Sequence, residues 1–390
     1  MGKTHSLSAK RFRNIDPWIV LPYVTLCIIG IIMVFSSSAA ISMQTGGSPK
    51  SYLIKQSIFV ILGFAVSYFM SAINLEKLRN SHFLAIFAIL LIGMLIFVRF
   101  FGASINGARG WIRLGSFSIQ PAEVTKLFLI LYLSRMFAHY NAIPGKYGLK
   151  QAAWPMGLTA GLLFLILLQP DVGGVAINLT IAMVLFLGSE IDWKTGSYVI
   201  VFGVGGLILF LPSLARFLAN HLHNYQASRF VAYLDPFGTT SGVGNQLVNS
   251  YYAISNGGLF GVGLGNSVQK MGYLPEPNTD FILAVIAEEL GFFMVALILV
   301  LLCIIVCRAV RLGMYANSMY MTLLCYGVAT FIAVETFFNV GGVCGLLPIT
   351  GVTLPFISYG GSSMLILSAA IGLILNVSRR LRAREKGRIK

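Results

Sequence analysis

Leu274-Pro275-Glu276-Pro277-Asn278-Thr279-Asp280-Phe281-Ile282-Leu283-Ala284-Val285-Ile286-Ala287-Glu288-Glu289-Leu290-Gly291 is the stretch on which the reading of this chain turns. A polar, proline-rich segment ends on a carboxylate. At the next residue begins an apolar run, reaching about residue 307, long enough to cross a bilayer. A carboxylate at such a boundary is costly and is kept for chemistry, ion handling or an ion pair. Partial desolvation there raises a carboxylate toward the range of a general base. Capping of the helix that begins there is the plainer role for Asp280, and the residues alone leave both open.

The rest of the chain has the same character. Of 390 residues 57% are hydrophobic and only 11% charged, where a soluble domain carries about a quarter charged residues. Mean hydropathy is +0.81. Apolar runs of spanning length lie at 18–40, 53–73, 83–101, 121–139, 152–169, 172–189, 196–213, 281–307, 319–340 and 361–378. The expected fold is an all-α polytopic membrane protein of ten transmembrane helices. Residues 1–16 form an N-terminal arm, 17–378 the membrane domain, and 379–390 a basic tail. A large extracytoplasmic loop, 214–279, separates helices seven and eight. The first apolar run follows Lys3, Lys10, Arg11 and Arg13 but is too long for a cleaved signal and lacks a small-residue cleavage site.

The net charge of +15 invites a nucleic-acid partner, but the placement of the charges argues against one. Nineteen of the 28 Lys and Arg fall in the two termini and in alternate loops, which makes that face cytoplasmic. Nine remain at or near the outer face: Lys50, Lys55, Arg99, Arg109, Arg113, Lys126, Arg216, Arg229 and Lys270. Their position calls for partners, an anionic ligand among them. No phosphate-binding loop, dinucleotide glycine pattern or metal-binding His pair occurs, so nucleotide-driven transport and redox chemistry find no support. The five cysteines read as buried small hydrophobes.

Other charges sit at or within the spans. Glu123 and Lys126 are three residues apart behind Pro121 and share a helix face; they form either a local ion pair or a lysine presented to an anionic head group. Asp171, behind Pro170, caps a helix or lines a polar cavity. Glu288 and Glu289 point about 100° apart on a helix and serve different contacts. Glu335, in a run of Phe and Val, is either structural or part of an inner polar network. Trp111 reads as an interfacial anchor unless a pocket gives it a sugar to stack on.

Taken in order, several motifs resemble those of the SEDS family (shape, elongation, division and sporulation). They are Asn106-Gly107-Ala108-Arg109-Gly110-Trp111-Ile112, Gln120-Pro121-Ala122-Glu123 with Lys126, Gln169-Pro170-Asp171, Thr279-Asp280-Phe281, Ala287-Glu288-Glu289-Leu290-Gly291, and Leu354-Pro355-Phe356-Ile357-Ser358-Tyr359-Gly360-Gly361-Ser362-Ser363. The segment 249–267 is more like the family's division member than its elongation member. The resemblance implies a peptidoglycan glycosyltransferase of the cytoplasmic membrane, with both termini cytoplasmic. It would polymerise lipid II onto a nascent glycan strand at the outer face of the septum, beside a cognate class B penicillin-binding protein and other divisome membrane proteins. The family's essential aspartate falls on Asp280. Its other motif residues fall on Glu123, Lys126 and Asp171, and a loop cation on Arg229. Asp280 would be the base, with Arg109, Arg113, Lys126 and Arg229 neutralising the leaving diphosphate. No cofactor is certain; a divalent cation, Mg or Mn, is compatible with the site. Gly110 departs from the pattern, since relatives often carry a larger residue there. A lipid II translocase and a scaffold that only recruits the penicillin-binding protein compete with this reading.

Overall fold

The computed structural model describes residues 16–44, 48–105, 108–115, 117–142, 149–189, 197, 225–238 and 242–385. The helices are α1 (Pro17–Gln44), α2 (Pro49–Ala72), α3 (Ser81–Phe101), α4 (Pro121–Asn141), α5 (Leu149–Leu167) and α6 (Val172–Leu187), then α7 (Tyr225–Leu234), α8 (Val243–Gly257), α9 (Ile282–Met314), α10 (Met319–Val343) and α11 (Gly361–Glu385). Helices α1–α6 and α9–α11 coincide with nine of the ten expected spans. The seventh, 196–213, lies outside the described residues, as does the arm before Asp16. Six of these helices are long and apolar enough to cross a membrane: α1, α2, α3, α9, α10 and α11. The protein is a multi-pass membrane protein. Helix α11 continues through the basic residues 379–384 without a break.

Two features depart from an all-helical chain with a long outer loop. Residues 103–119, between the third and fourth expected spans, form a small antiparallel sheet of β1 (Ala103–Ile105), β2 (Ala108–Leu114) and β3 (Phe117–Ile119). Ile112 pairs with Ile119 and Leu114 with Phe117, and Gly115 supplies the positive φ (63°) that the turn needs. In the segment expected as a long outer loop, α7 and α8 give helical structure to much of the chain beyond residue 224.

Helix α4 is the centre of the bundle. Residues from Pro121 to Ala138 are buried on nearly every side, against α3, α5, α6, α10 and α11. Helices around it face outward with large apolar side chains: Ile61 and Phe69 on α2, Ile89 and Phe100 on α3, Phe292 and Phe293 on α9 are all more than half exposed. Lipid covers such a surface. The same geometry corrects the cysteine reading: Cys27 and Cys325 are buried, but Cys303, Cys307 and Cys344 lie on the outside, where apolar neighbours reflect lipid rather than protein.

Helix α9 is broken at Gly291 (φ 74°, ψ −177°). A break inside a membrane must satisfy its freed backbone groups within the protein. Here the amides of Val262 and Gly263 donate to the carbonyls of Glu288 and Glu289, both at 2.9 Å, and the Phe292 amide donates to Gly258 at 3.0 Å. The approach needs glycine: a Cβ on Gly291 would stand 2.4 Å from the Gly261 nitrogen, and one on Gly257 1.9 Å from the Ala287 oxygen. The two glutamates before the break diverge as the helical angle requires. Glu288 accepts from Asn256 Nδ2 (3.2 Å), from the Val268 and Gln269 amides (3.1 and 3.3 Å) and from the Ser267 hydroxyl. Glu289 accepts from Ser36 Oγ (2.7 Å) and Lys270 Nζ (2.5 Å). Lys270, one of the nine cations expected at the outer face, therefore finds its partner inside the protein.

Candidate functional site

A cavity of about 230 Å³ opens where the N-termini of four helices converge. Gln120 stands at the start of α4 and Asp171 at the start of α6. Asp280 lies just ahead of α9, and Ser362 and Ser363 lie in the first turn of α11; all line the cavity. Each helix start presents unpaired amides and about half a positive charge. Their convergence makes an anion-binding environment that no single motif announces. Lys126 and Arg229 add two cations to the lining.

Lys126 is 1% exposed. Its ammonium donates to Glu123 Oε1 at 2.6 Å and to Glu335 Oε1 on α10, and it lies 5.2 Å from the centre of the Phe331 ring. The ion pair expected from the spacing of Glu123 and Lys126 is present, and Glu335 completes it. The second oxygens of both carboxylates, Glu123 Oε2 and Glu335 Oε2, are buried with no hydrogen-bond partner among the described residues. A buried acceptor left so is costly, which fits a site that takes up water or a polar ligand. Asp171 caps α6, accepting from the Gly174 amide at 2.7 Å, and Gln120 Nε2 lies 3.4 Å from its other oxygen. It also lines the cavity, so both of its expected roles are realised together. Burial raises its pKa; the Gly174 bond and the charge of Lys126 oppose the rise.

Asp280 is held from three sides. Its carbonyl accepts from Asn339 Nδ2 at 2.8 Å, and the same amide nitrogen lies 2.8 Å from the Val352 carbonyl. One residue earlier, the Thr279 carbonyl accepts from Ser358 Oγ at 2.6 Å. Before that, the Asn278 carbonyl accepts from the Tyr359 amide at 2.9 Å. The loop that supplies these partners is itself buried through Leu354, Phe356 and Ile357, and Phe356 keeps a left-handed backbone at φ 64°, a conformation a bulky residue adopts only when its surroundings hold it. The Asp280 carboxylate accepts from Thr279 Oγ1 at 3.0 Å, and Glu276 Oε2 lies 3.1 Å from the same hydroxyl. Burial, reinforced by the charge of Glu276, pushes the Asp280 pKa up to about 6, against the pull of Arg229 and of the Thr279 bond. A rigidly held carboxylate with that affinity for protons is suited to general-base work near neutral pH.

Arg229, on α7, faces this group; a Cβ on Gly351 would be 3.2 Å from its Nη2. Trp111 lines the cavity, which moves its reading from membrane anchor to a ring available to a sugar. Arg113 is exposed and lies outside the cavity lining. The Arg109 side chain lies outside the described residues, although its backbone belongs to β2. At Gly110 a Cβ would meet nothing closer than 3.9 Å, so the larger residue of relatives would fill cavity space rather than clash.

Sequence reasoning missed Glu276, placed among loop residues, and gave no role to Asn339, Ser358 or Tyr359. The motif around residues 354–363 holds two of these, but a motif does not disclose which backbone carbonyls it serves. Among the described residues no group of three or more His, Cys, Asp or Glu could hold a metal ion. Glu276 and Asp280 still fit a hard cation that keeps most of its waters and leans on substrate phosphates.

Comparison with known proteins agrees with this architecture. The family model for the cell cycle proteins FtsW, RodA and SpoVE matches residues 17–383. The chain is 38% identical to the probable peptidoglycan glycosyltransferase FtsW of Enterococcus hirae, over 96% of this chain and 95% of that one. It is 37% identical to the protein of the same description in Bacillus subtilis, over 95% and 92%. Among solved structures, a chain from a peptidoglycan synthase complex that coordinates polymerization and crosslinking superposes with a TM-score of 0.75 at 27% identity, over 94% of this chain and 98% of that one. The rod shape determining protein RodA of Thermus thermophilus shares the fold, with a TM-score of 0.65 at 24% identity over 94% and 97%. By motif, by sequence along nearly its full length and by fold, the chain belongs to the FtsW/RodA/SpoVE family of cell cycle proteins.

Proposed function

We propose that the protein is a peptidoglycan glycosyltransferase of the division type, polymerising lipid II at the outer face of the cytoplasmic membrane beside a class B penicillin-binding protein. The observation that carries this reading is the meeting of Asp280, Lys126 and Arg229 on one cavity at four helix N-termini.

The chemistry is an inverting glycosyl transfer. Asp280 takes the proton from the 4-hydroxyl of the incoming N-acetylglucosamine. That oxygen bonds to the anomeric carbon of the growing strand as the bond from this carbon to the lipid diphosphate breaks. Arg229, Lys126 and the helix N-termini meet the charge that develops on the leaving diphosphate, where fixed dipoles in a water-poor site help most. Trp111 offers a face to a sugar ring. Asn339, Ser358 and the Tyr359 amide hold the backbone of Asp280 so that the carboxylate need not reorganise. Asp280 and Glu276 are the residues that would hold a divalent cation, which would supply further neutralisation of the diphosphate.

A translocase calls for polar groups along a path to the other face. Glu288, Glu289 and Glu335 are fully buried and absent from the cavity lining, the first two bonded to local partners and Glu335 paired with Lys126, which favours transfer over translocation. A vesicle assay with labelled lipid II scores the two separately. Glycan strands from lipid II presented at the outer face, without transbilayer movement of the label, are expected. Transbilayer movement without polymer would replace this reading with the translocase.

A further inference from the structure

At the far end of α9 from Asp280 lies a second cavity, of about 490 Å³, between the ends of α9 and α11. Its polar lining includes Arg308, Arg311, Ser378, Arg382 and Arg384. Behind them Asp16, 0% exposed, accepts from Arg308 Nε at 2.8 Å and Ser378 Oγ at 3.0 Å, with Arg382 Nη2 at 3.2 Å. Among the described residues, four guanidinium groups thus line this pocket, with one carboxylate, Asp16, behind them. Arg308 and Arg382 keep side-chain exposures of 23% and 28% while bound to Asp16, so their outer edges still face the cavity. Arg311 stands 6.0 Å over the ring of Tyr315. Tyr315 and Met314 are 65% and 62% exposed, so apolar surface adjoins the charged pocket.

Topology alone asks for positive charge on this face, and two helix C-termini welcome about half a charge each. Neither requires a cavity, nor a buried acid that anchors two arginines at its wall. We infer that this pocket binds the head group of an anionic phospholipid, its phosphate diester meeting Arg311 and Arg384 between the Asp16-anchored pair, and its acyl chains running back toward the bilayer centre along α9, where Val310 and Cys307 are exposed. Planar guanidinium forks match phosphate oxygens in pairs. Basic pockets between membrane helices on the inner side take such head groups. The apolar rim favours a lipid over a soluble phosphate.

The test uses the full chain in neutral detergent, titrated with dioctanoyl phosphatidylglycerol, dioctanoyl phosphatidylcholine or glycerol 3-phosphate, with bound molecules counted by native mass spectrometry. One phosphatidylglycerol held in preference to both other probes is expected. Each arginine removed weakens binding about fivefold, so R311Q/R384Q loses roughly thirtyfold, while K77Q/R79Q elsewhere on the same face keeps wild-type binding. Equal retention of phosphatidylcholine, equal loss in both double variants, or glycerol 3-phosphate bound as tightly as lipid overturns the assignment. If R311Q/R384Q does not fold, R384Q alone, at an exposed residue, carries the test with a fivefold loss, and wild-type affinity there refutes it.

Discussion

Replacing Lys126 by methionine tests how the centre of the bundle tolerates its charges. The ammonium lies 2.6 Å from Glu123 and also bonds Glu335, with side-chain exposures of 2% for the lysine, 12% for Glu123 and 0% for Glu335. Methionine keeps the length and the contact with Phe331 but leaves two carboxylates facing each other without a counter-charge. Removing one partner of a buried ion pair costs about 3–5 kcal/mol, and K126M is expected to fall in that range. E335Q leaves Lys126 its bond to Glu123 and is expected to cost about 1–2 kcal/mol. If the costs were independent, K126M/E335Q would be worse than either single variant. The geometry says the opposite: removing the enclosed carboxylate relieves K126M, since Glu123 is the more exposed of the two. The double variant should recover about 2 kcal/mol relative to K126M, a coupling typical of contacting residues. The assay is denaturant unfolding of the purified protein in micelles, followed by helical circular dichroism. K126M within about 1 kcal/mol of wild type, or simple addition of the two losses, would refute the reasoning.

Other parts of the site lead to further outcomes. The Asp280 carboxyl titrates at about 6 against an ordinary 3.8, so the folded state favours its protonated form; the stability it contributes is full below pH 4 and lost as pH rises through 6. At about 1.36 kcal/mol per pH unit, D280N should therefore be up to about 3 kcal/mol more stable than wild type at pH 7.5 and equal to it near pH 4, as melting scans at both pH values would show. The same titration should place the acid limb of the wild-type rate profile near pH 6. N339L strips the Asp280 and Val352 carbonyls of their donor and is expected to lower kcat about tenfold, about 1.4 kcal/mol of barrier, with little change in KM. G291A should destabilise by about 1–3 kcal/mol through its left-handed backbone alone, with the Gly261 contact adding to this, whereas G93A, with nothing within 4 Å of the new Cβ, should be neutral or stabilising on the same melting scan.

Much of this architecture is legible in the chain because bilayers impose long, simple patterns. Each described span starts within about four residues of its apolar run, although α9 and α11 each continue seven residues past theirs, and the Glu123–Lys126 pair follows from helical spacing alone. The small sheet is not legible: its strands are three and seven residues long, and a Gly-rich segment of that length reads equally well as loop. The break in α9 is hidden because apolar residues continue across Gly291; only the glycines of residues 257–263, far away in sequence, make room for it. Glu276 looks like a surface residue because local sequence does not say that the loop around Phe356 folds back against Asn278 and Thr279 beside it. The role of Asn339 is hidden for a similar reason, since its partners are carbonyls 59 and 13 residues away.

The most direct test of the central claim is lipid II polymerisation by the purified protein with its cognate penicillin-binding protein, wild type against D280N. The account predicts glycan strands from the wild type and a loss of at least about 10²–10⁴-fold in the variant, with equal expression and equal binding to the partner. Strands made at comparable rates by both would contradict it and remove Asp280 from the chemistry.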